Sequence, residues 1–295
     1  MSKVKWFLIV LLAVGCLLAG NGLWNTNLPP LSNSAHKIVH VSFDDVVSVF
    51  KDLKKDSLSY VSIFEHAFLK ELKNLHDEYG ACFSLYVFER DGDFHISEVP
   101  VRFREEFREN ADWLKFGFHW TGSAFDPNIR LKEFTESYHA VNEAITILGG
   151  DSCLCPVIRL HYFYGADSLV GVINESGRVN GLLCADDERN SYDLSSSENE
   201  ILRQNRFYEK GGMRYFKTDL RYENSCFIYP TLVRLQNRDT LVAFTHEWAW
   251  RPQSLREWCG NLLRGRLNMN WWNRYKLRAS VKWFHEHGYK FGFLE

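Results

Sequence analysis

Two adjacent carboxylates close an apolar, β-branched run, in which Ile38-Val39-His40-Val41-Ser42-Phe43 leads into Asp44-Asp45. Such a run reads as a buried strand that delivers acids to its C-terminal edge, where α/β folds keep their chemistry. Neighbouring side chains on a strand point to opposite faces, so only a chain leaving the strand at this pair aims both carboxylates at one site. Two like charges held that close push their proton affinities apart unless a cation sits between them. The pair is therefore a metal ligand beside a general base, or a dyad sharing one proton. The plainer alternative is an Asx turn or a helix cap. His119, Arg159, His161, Asp186, Asp187, His246 and Glu247 also fall at the ends of expected strands. A lone histidine there is more often structural. Three of them meeting a double Asp make a site, provided that the strands share one sheet with a common active face.

The intervening sequence supplies elements that could do this. Residues 61–79 carry Ile63, Phe64, Ala67, Phe68, Leu72 and Leu75 at helical spacing and stop at Gly80. Strands are expected at 81–88, 115–119, 156–163, 181–185 and 241–245, and helices at 103–113, 134–148, 168–176 and 271–287, with a closing strand at 289–294. The alternation predicts parallel strands wrapped by helices, and the polar strand ends favour a barrel-like sheet. Gly211-Gly212, between two β-rich runs within 206–222, predicts a hairpin inserted in the barrel.

Composition narrows the function classes. The 295 residues are 45% hydrophobic and 15% aromatic, enough for one large core without a forced split. Lys and Arg number 35 against 37 acidic residues, with no basic block, which argues against nucleic acid as a partner. Lys3 and Lys5, the apolar run 6–19 and the polar stretch 21–34 have the layout of a secretory signal. Residues 1–20 are accordingly read as a signal peptide or membrane anchor, 21–36 as a linker and 37–295 as the domain. Cleavage after Ala19 fits, and Cys16 sits in a sequence that resembles a lipoprotein box with its leucine displaced by one place. The mature chain is expected to be exported, secreted or attached to a bacterial cell envelope. Cys82, Cys153, Cys155, Cys184, Cys226 and Cys259 lack the spacing of a disulfide framework or a zinc knuckle and read mostly as buried thiols, with one bridge allowed.

In order and type, these motifs resemble the polysaccharide deacetylase family of the NodB-homology fold. Ser42-Phe43-Asp44-Asp45 is similar to its first motif, in which the first Asp is the base and the second binds metal. Phe116-Gly117-Phe118-His119-Trp120-Thr121 matches a strand ending in a metal-binding His. Arg159 matches the Arg that orients the base, and Leu241-Val242-Ala243-Phe244-Thr245-His246 matches the strand ending in the acid. The resemblance implies an irregular (β/α) barrel over residues 38–295. Two positions depart from the family: its second metal-binding His is Ser123 here, and Arg159 is followed by Leu160-His161-Tyr162 in place of a Pro and an aromatic. A catalytic zinc wants about three protein ligands. His161, at a strand end, is the preferred third ligand, ahead of His139 on a helix.

The resemblance implies a hydrolase that uses a divalent metal, zinc by preference, to remove acyl groups from an amino-sugar-containing polymer. Asp44 would be the base, Arg159 its orienting partner and His246 the acid, with the metal on Asp45, His119 and His161. Asp186, Asp187, Glu247 and the rings of Trp120, Trp248 and Trp250 would contact the carbohydrate. Two alternatives stand beside this reading. One is a carbohydrate-binding protein of the same fold without catalysis, favoured by the missing second His. The other is a metal-free glycoside hydrolase pairing Asp44 or Asp45 with Asp186 or Asp187.

Overall fold

The computed structural model describes residues 37–121, 127–251 and 270–295, with isolated positions 12, 15, 16 and 259. The expected signal or anchor at 1–20, the linker at 21–36 and the departure at Ser123 lie outside the described residues. Among the described residues no helix is long and apolar enough to cross a membrane. The cysteines are free thiols, with Cys153, Cys155 and Cys184 buried.

The chain begins with β1 (Lys37–Val46), followed by α1 (Ser48–Lys55), α2 (Ala67–Tyr79) and β2 (Phe83–Val87). A short hairpin, β3 (Arg90–Asp91) and β4 (Phe94–His95), leads to α3 (Arg104–Glu109), β5 (Leu114–Phe118) and the long α4 (Pro127–Gly149). Then come β6 (Val157–Ile158), α5 (Asp167–Glu175), β7 (Gly181–Leu183), α6 (Ser196–Asn205), β8 (Phe207–Lys210) and β9 (Met213–Phe216). The chain closes with β10 (Leu220–Arg221), α7 (Ile228–Leu235), β11 (Thr240–His246), α8 (Asn270–Glu286) and β12 (Tyr289–Phe291).

Val39, Val41, Phe43 and Val46 give β1 its extended preference, and burial of nearly every residue on both faces places it at the centre of a parallel sheet. It lies between β11 on one edge and β2 on the other, with β12 beside its first residues, and the sheet order is β10-β11-β1-β2-β5. A second sheet runs β6-β7-β9-β8. Two seams join the sheets into a ring. Phe116 bridges Leu154 and its carbonyl accepts from Cys155 N, which brings β5 to the start of β6. Opposite, the run after β9 serves both sheets, because Phe216 O accepts from Cys184 N and Asp219 N donates to Val242 O. The first seam closes tightly at Gly117, where a Cβ would lie 2.8 Å from Ile158 Cγ2.

The α/β fold expected from the sequence is present, with three local differences. The hairpin turning at Gly211 (φ 59°) and Gly212 (φ 81°) is where expected, yet β9 pairs in parallel with β7, so the hairpin is part of the ring. The strand expected over 156–163 has only two paired residues, because the chain turns away at Leu160 and Tyr162 and Phe163 adopt φ of 57° and 58°. Helices α1, α6 and α7 are additional to those expected from the sequence.

Candidate active site

The carboxylate pair comes together by a route other than the expected one. β1 continues to Val46, but its register with β2 shifts between Phe43 and Val46, and Asp45 takes φ 56°. This bulge, in a conformation Asp tolerates better than most residues, lets consecutive side chains share one face. β11 runs alongside in register and sets His246 directly opposite Asp44.

Asp44 is 3% exposed and Arg159 1%. Arg159 Nη1 donates to Asp44 Oδ1 at 2.9 Å and to Ser42 Oγ at 3.1 Å, while Nη2 donates to Thr218 Oγ1 at 3.1 Å. The guanidinium lies 4.0 Å from the centroid of the Phe244 ring. A planar cation fixed from three sides holds the carboxylate in one orientation.

Asp45 Oδ1 lies 3.2 Å from His119 Nε2 and 3.2 Å from His161 Nδ1, and the three donor atoms lie within 4.8 Å of one another. Asp45 Oδ2 accepts from Trp248 Nε1 at 3.0 Å. The second nitrogen of His119 is committed, since Nδ1 donates to the Arg159 carbonyl at 2.5 Å. A carbonyl only accepts, so Nδ1 carries the proton and Nε2 of the neutral ring presents a lone pair. Both Asp45 Oδ1 and His119 Nε2 are buried without a hydrogen-bond partner. Two buried acceptors facing each other at 3.2 Å are what a cation between them would relieve. Tetrahedral donors about 2.1 Å from a zinc ion sit about 3.4 Å apart, close to that spacing. The donor set therefore fits a divalent metal. His139 is exposed on α4, outside this cluster.

His246 leans on a residue that no sequence motif marks. Glu223, on the single turn that follows β10, accepts at Oε1 from His246 N at 2.9 Å and Thr245 Oγ1 at 2.6 Å, and pairs with His246 Nδ1 at 3.2 Å. Burial alone would lower the pKa of His246, but Glu223, aided by Asp44 and Asp45, raises it above the ordinary 6.5. Burial raises the pKa of Glu223 in turn, but its bond to His246, the charge of that ring and the Thr245 hydroxyl together lower it. Tyr222-Glu223-Asn224 has no distinguishing spacing, and only its place after a strand in the same sheet could have pointed to it.

A cavity of about 170 Å³ joins these groups, lined by Asp44, His119, Arg159, His161 and His246, with Arg189 and Arg221 at its wall. Those two arginines are also absent from the set expected at strand ends. Each holds one of the expected substrate carboxylates, Arg221 with Asp186 and Arg189 with both oxygens of Asp187.

The remaining expected contacts divide. Trp248 is at the site, half-exposed and stacked on His246 with centroids 4.9 Å apart. Trp120 and Trp250 are buried, packed edge-on against Phe134 and Phe43 respectively, and present no open ring face. Glu247, expected to contact substrate, turns instead to the start of α1, where it accepts from Val47 N at 3.0 Å, Ser48 N at 2.8 Å and Val49 N at 2.6 Å. The unpaired amides of a helix start draw in a carboxylate.

No protein-family model and no curated protein matches the sequence. Among solved structures, the catalytic domain of a peptidoglycan N-acetylglucosamine deacetylase from Eubacterium rectale is 12% identical, with a TM-score of 0.42 over 92% of this chain and 94% of that one. A family 4 acetyl xylan esterase from Clostridium thermocellum, in complex with a cobalt ion, is 12% identical with a TM-score of 0.44 over 86% and 87%. A peptidoglycan deacetylase from Bacillus subtilis is 12% identical with a TM-score of 0.40 over 88% of each chain.

Proposed function

We propose that the chain is a metal-dependent hydrolase that removes acyl groups from an amino-sugar-containing polymer. The observation that carries this is the meeting of Asp45 Oδ1, His119 Nε2 and His161 Nδ1, two of them buried without partners, beside the Asp44–Arg159 pair. Asp45, His119 and His161 would hold a divalent ion, zinc by preference. Three protein donors leave a position open, so the bound ion would supply Lewis acidity toward water and an acyl carbonyl.

The residues of the chain supply the proton chemistry. Asp44, fixed by Arg159, takes a proton from the attacking water. His246, paired through Nδ1 with Glu223, gives a proton to the departing amine or alcohol. Their neighbouring positions on β1 and β11 put base and acid on adjacent edges of one small cavity. Trp248 offers a partly exposed ring for the sugar. The metal-free glycosidase reading needs a second carboxyl that can carry a proton. Burial raises the pKa of Asp187, but Arg189 outweighs this and lowers it, so that residue is poorly suited to be an acid. With the export read from the N-terminal residues, the polymer would be an envelope or extracellular one.

The test is elemental mass spectrometry on the full chain, together with acetate release from N-acetylated amino-sugar oligomers. About one metal per chain, lost in Asp45→Ala, His119→Ala and His161→Ala along with the release of acetate, is the expected result. A chain that stays empty after loading with zinc, cobalt and manganese refutes the proposal.

A further inference from the structure

Lys276 lies in the middle of α8, only 2% exposed, and forms no ion pair among the described residues. Its Nζ donates to Tyr222 O and, at 2.8 Å, to Ser225 O. These carbonyls bracket the turn that carries Glu223. On the same helix, Trp272 Nε1 donates to Cys226 O at 3.0 Å, so the first half of α8 grips three carbonyls of one short segment. A buried ammonium is a costly donor for two carbonyls that solvent could otherwise satisfy. Burial lowers its pKa to about 8, and Glu223 is the main group opposing that fall.

We infer that Lys276 is the positioning residue of the proton donor: it pins the Tyr222–Ser225 turn, and the turn holds Glu223 against Nδ1 of His246. The inference rests on the reading of His246 as the acid. His246 faces Glu223 from the turn and Asp44 and Asp45 from β1, with Arg159, Arg189 and Arg221 around the same cavity. Lys276 reaches it only through Glu223. If the anchor is lost, Glu223 relaxes away from the imidazole, and the pKa of His246 falls back toward its ordinary value.

The experiment is an NMR titration of the full chain carrying ¹³C-labelled histidine, with the His246 resonance assigned by its loss in His246→Gln. In wild type and in Trp272→Phe, His246 is expected to titrate alike. In Lys276→Met it is expected to fall to the value seen in Glu223→Gln. Turnover measured above that pKa should drop about tenfold for each unit lost, with KM unchanged. An unchanged His246 in folded Lys276→Met, or in Lys276→Gln should the first variant not fold, overturns the inference. A rise overturns it too, because the ammonium would then act as an opposing charge and not as an anchor. An equal fall in Trp272→Phe would assign the effect to general loosening of α8 and overturn the inference as well. The titration involves no substrate, so a fall in His246 with undiminished turnover would remove the acid role and leave the positioning standing.

Discussion

Arg159→Met tests whether the buried pair at the centre of the ring is a unit. The substitution keeps most of the side-chain volume and leaves Asp44, 3% exposed, without its guanidinium partner. Removing one partner of a buried ion pair costs about 3–5 kcal/mol, because the remaining charge is stranded. The Ser42 and Thr218 hydroxyls, which also lose a donor, can rotate to other partners, so the stranded carboxylate should dominate at about 4 kcal/mol. Against a total stability of roughly 5–15 kcal/mol, that is a large share. Urea unfolding followed by tryptophan fluorescence would show it as a lower midpoint at unchanged slope. Asp44→Asn/Arg159→Met strands no charge and should be about 2 kcal/mol more stable than Arg159→Met alone. A single variant within about 1 kcal/mol of wild type, or a double variant that loses the sum of the two single losses, refutes the reasoning.

Two further outcomes follow from buried groups away from the reaction. His40 is fully buried, and burial, with the Arg159 charge adding, lowers its pKa to about 3. Between that value and the unfolded value near 6.5, the unfolded chain binds more protons. Stability should therefore fall as pH drops through this window, by up to about 4–5 kcal/mol at about 1.4 kcal/mol per unit. His40→Gln should flatten that part of the pH–stability curve, and a curve parallel to wild type would contradict it. Glu247→Ala strips the acceptor from three amides at the start of α1 and should cost about 1–2 kcal/mol in thermal unfolding while leaving metal content unchanged. Metal lost along with stability would place Glu247 in the site after all.

The legible part of the site was the part written as strand ends. Val39 to Phe43 and Leu241 to Phe244 are apolar, β-rich runs, and each stops at a residue that reaches the cavity. Periodicity could place Asp44, His119 and His246 because the sheet is parallel and its strands finish on one face. It could not foresee the bulge at Asp45, which depends on one residue adopting a positive φ in mid-strand. It overran β6 because residues 159–163 look β-like while their backbone turns to bring His161 inward. Glu223 and Arg189 sit on turns and Arg221 ends the two-residue β10, none of them in a repeating pattern, and their roles arise only when separate segments meet. Glu247 and Trp250 misled for the converse reason: sequence proximity to His246 says nothing of which way a short 3₁₀ turn sends each side chain.

β1 also gives the molecule a polarity. Lys37 opens the strand and Asp44 stands seven residues along it. At about 3.3 Å per residue, the start of the strand and the carboxylate pair are separated by about 23 Å along it. β12 returns the C-terminal end of the chain to the same entrance, beside Lys37 to Val39. The carboxylate pair therefore stands at the end of the sheet remote from both the start of β1 and β12.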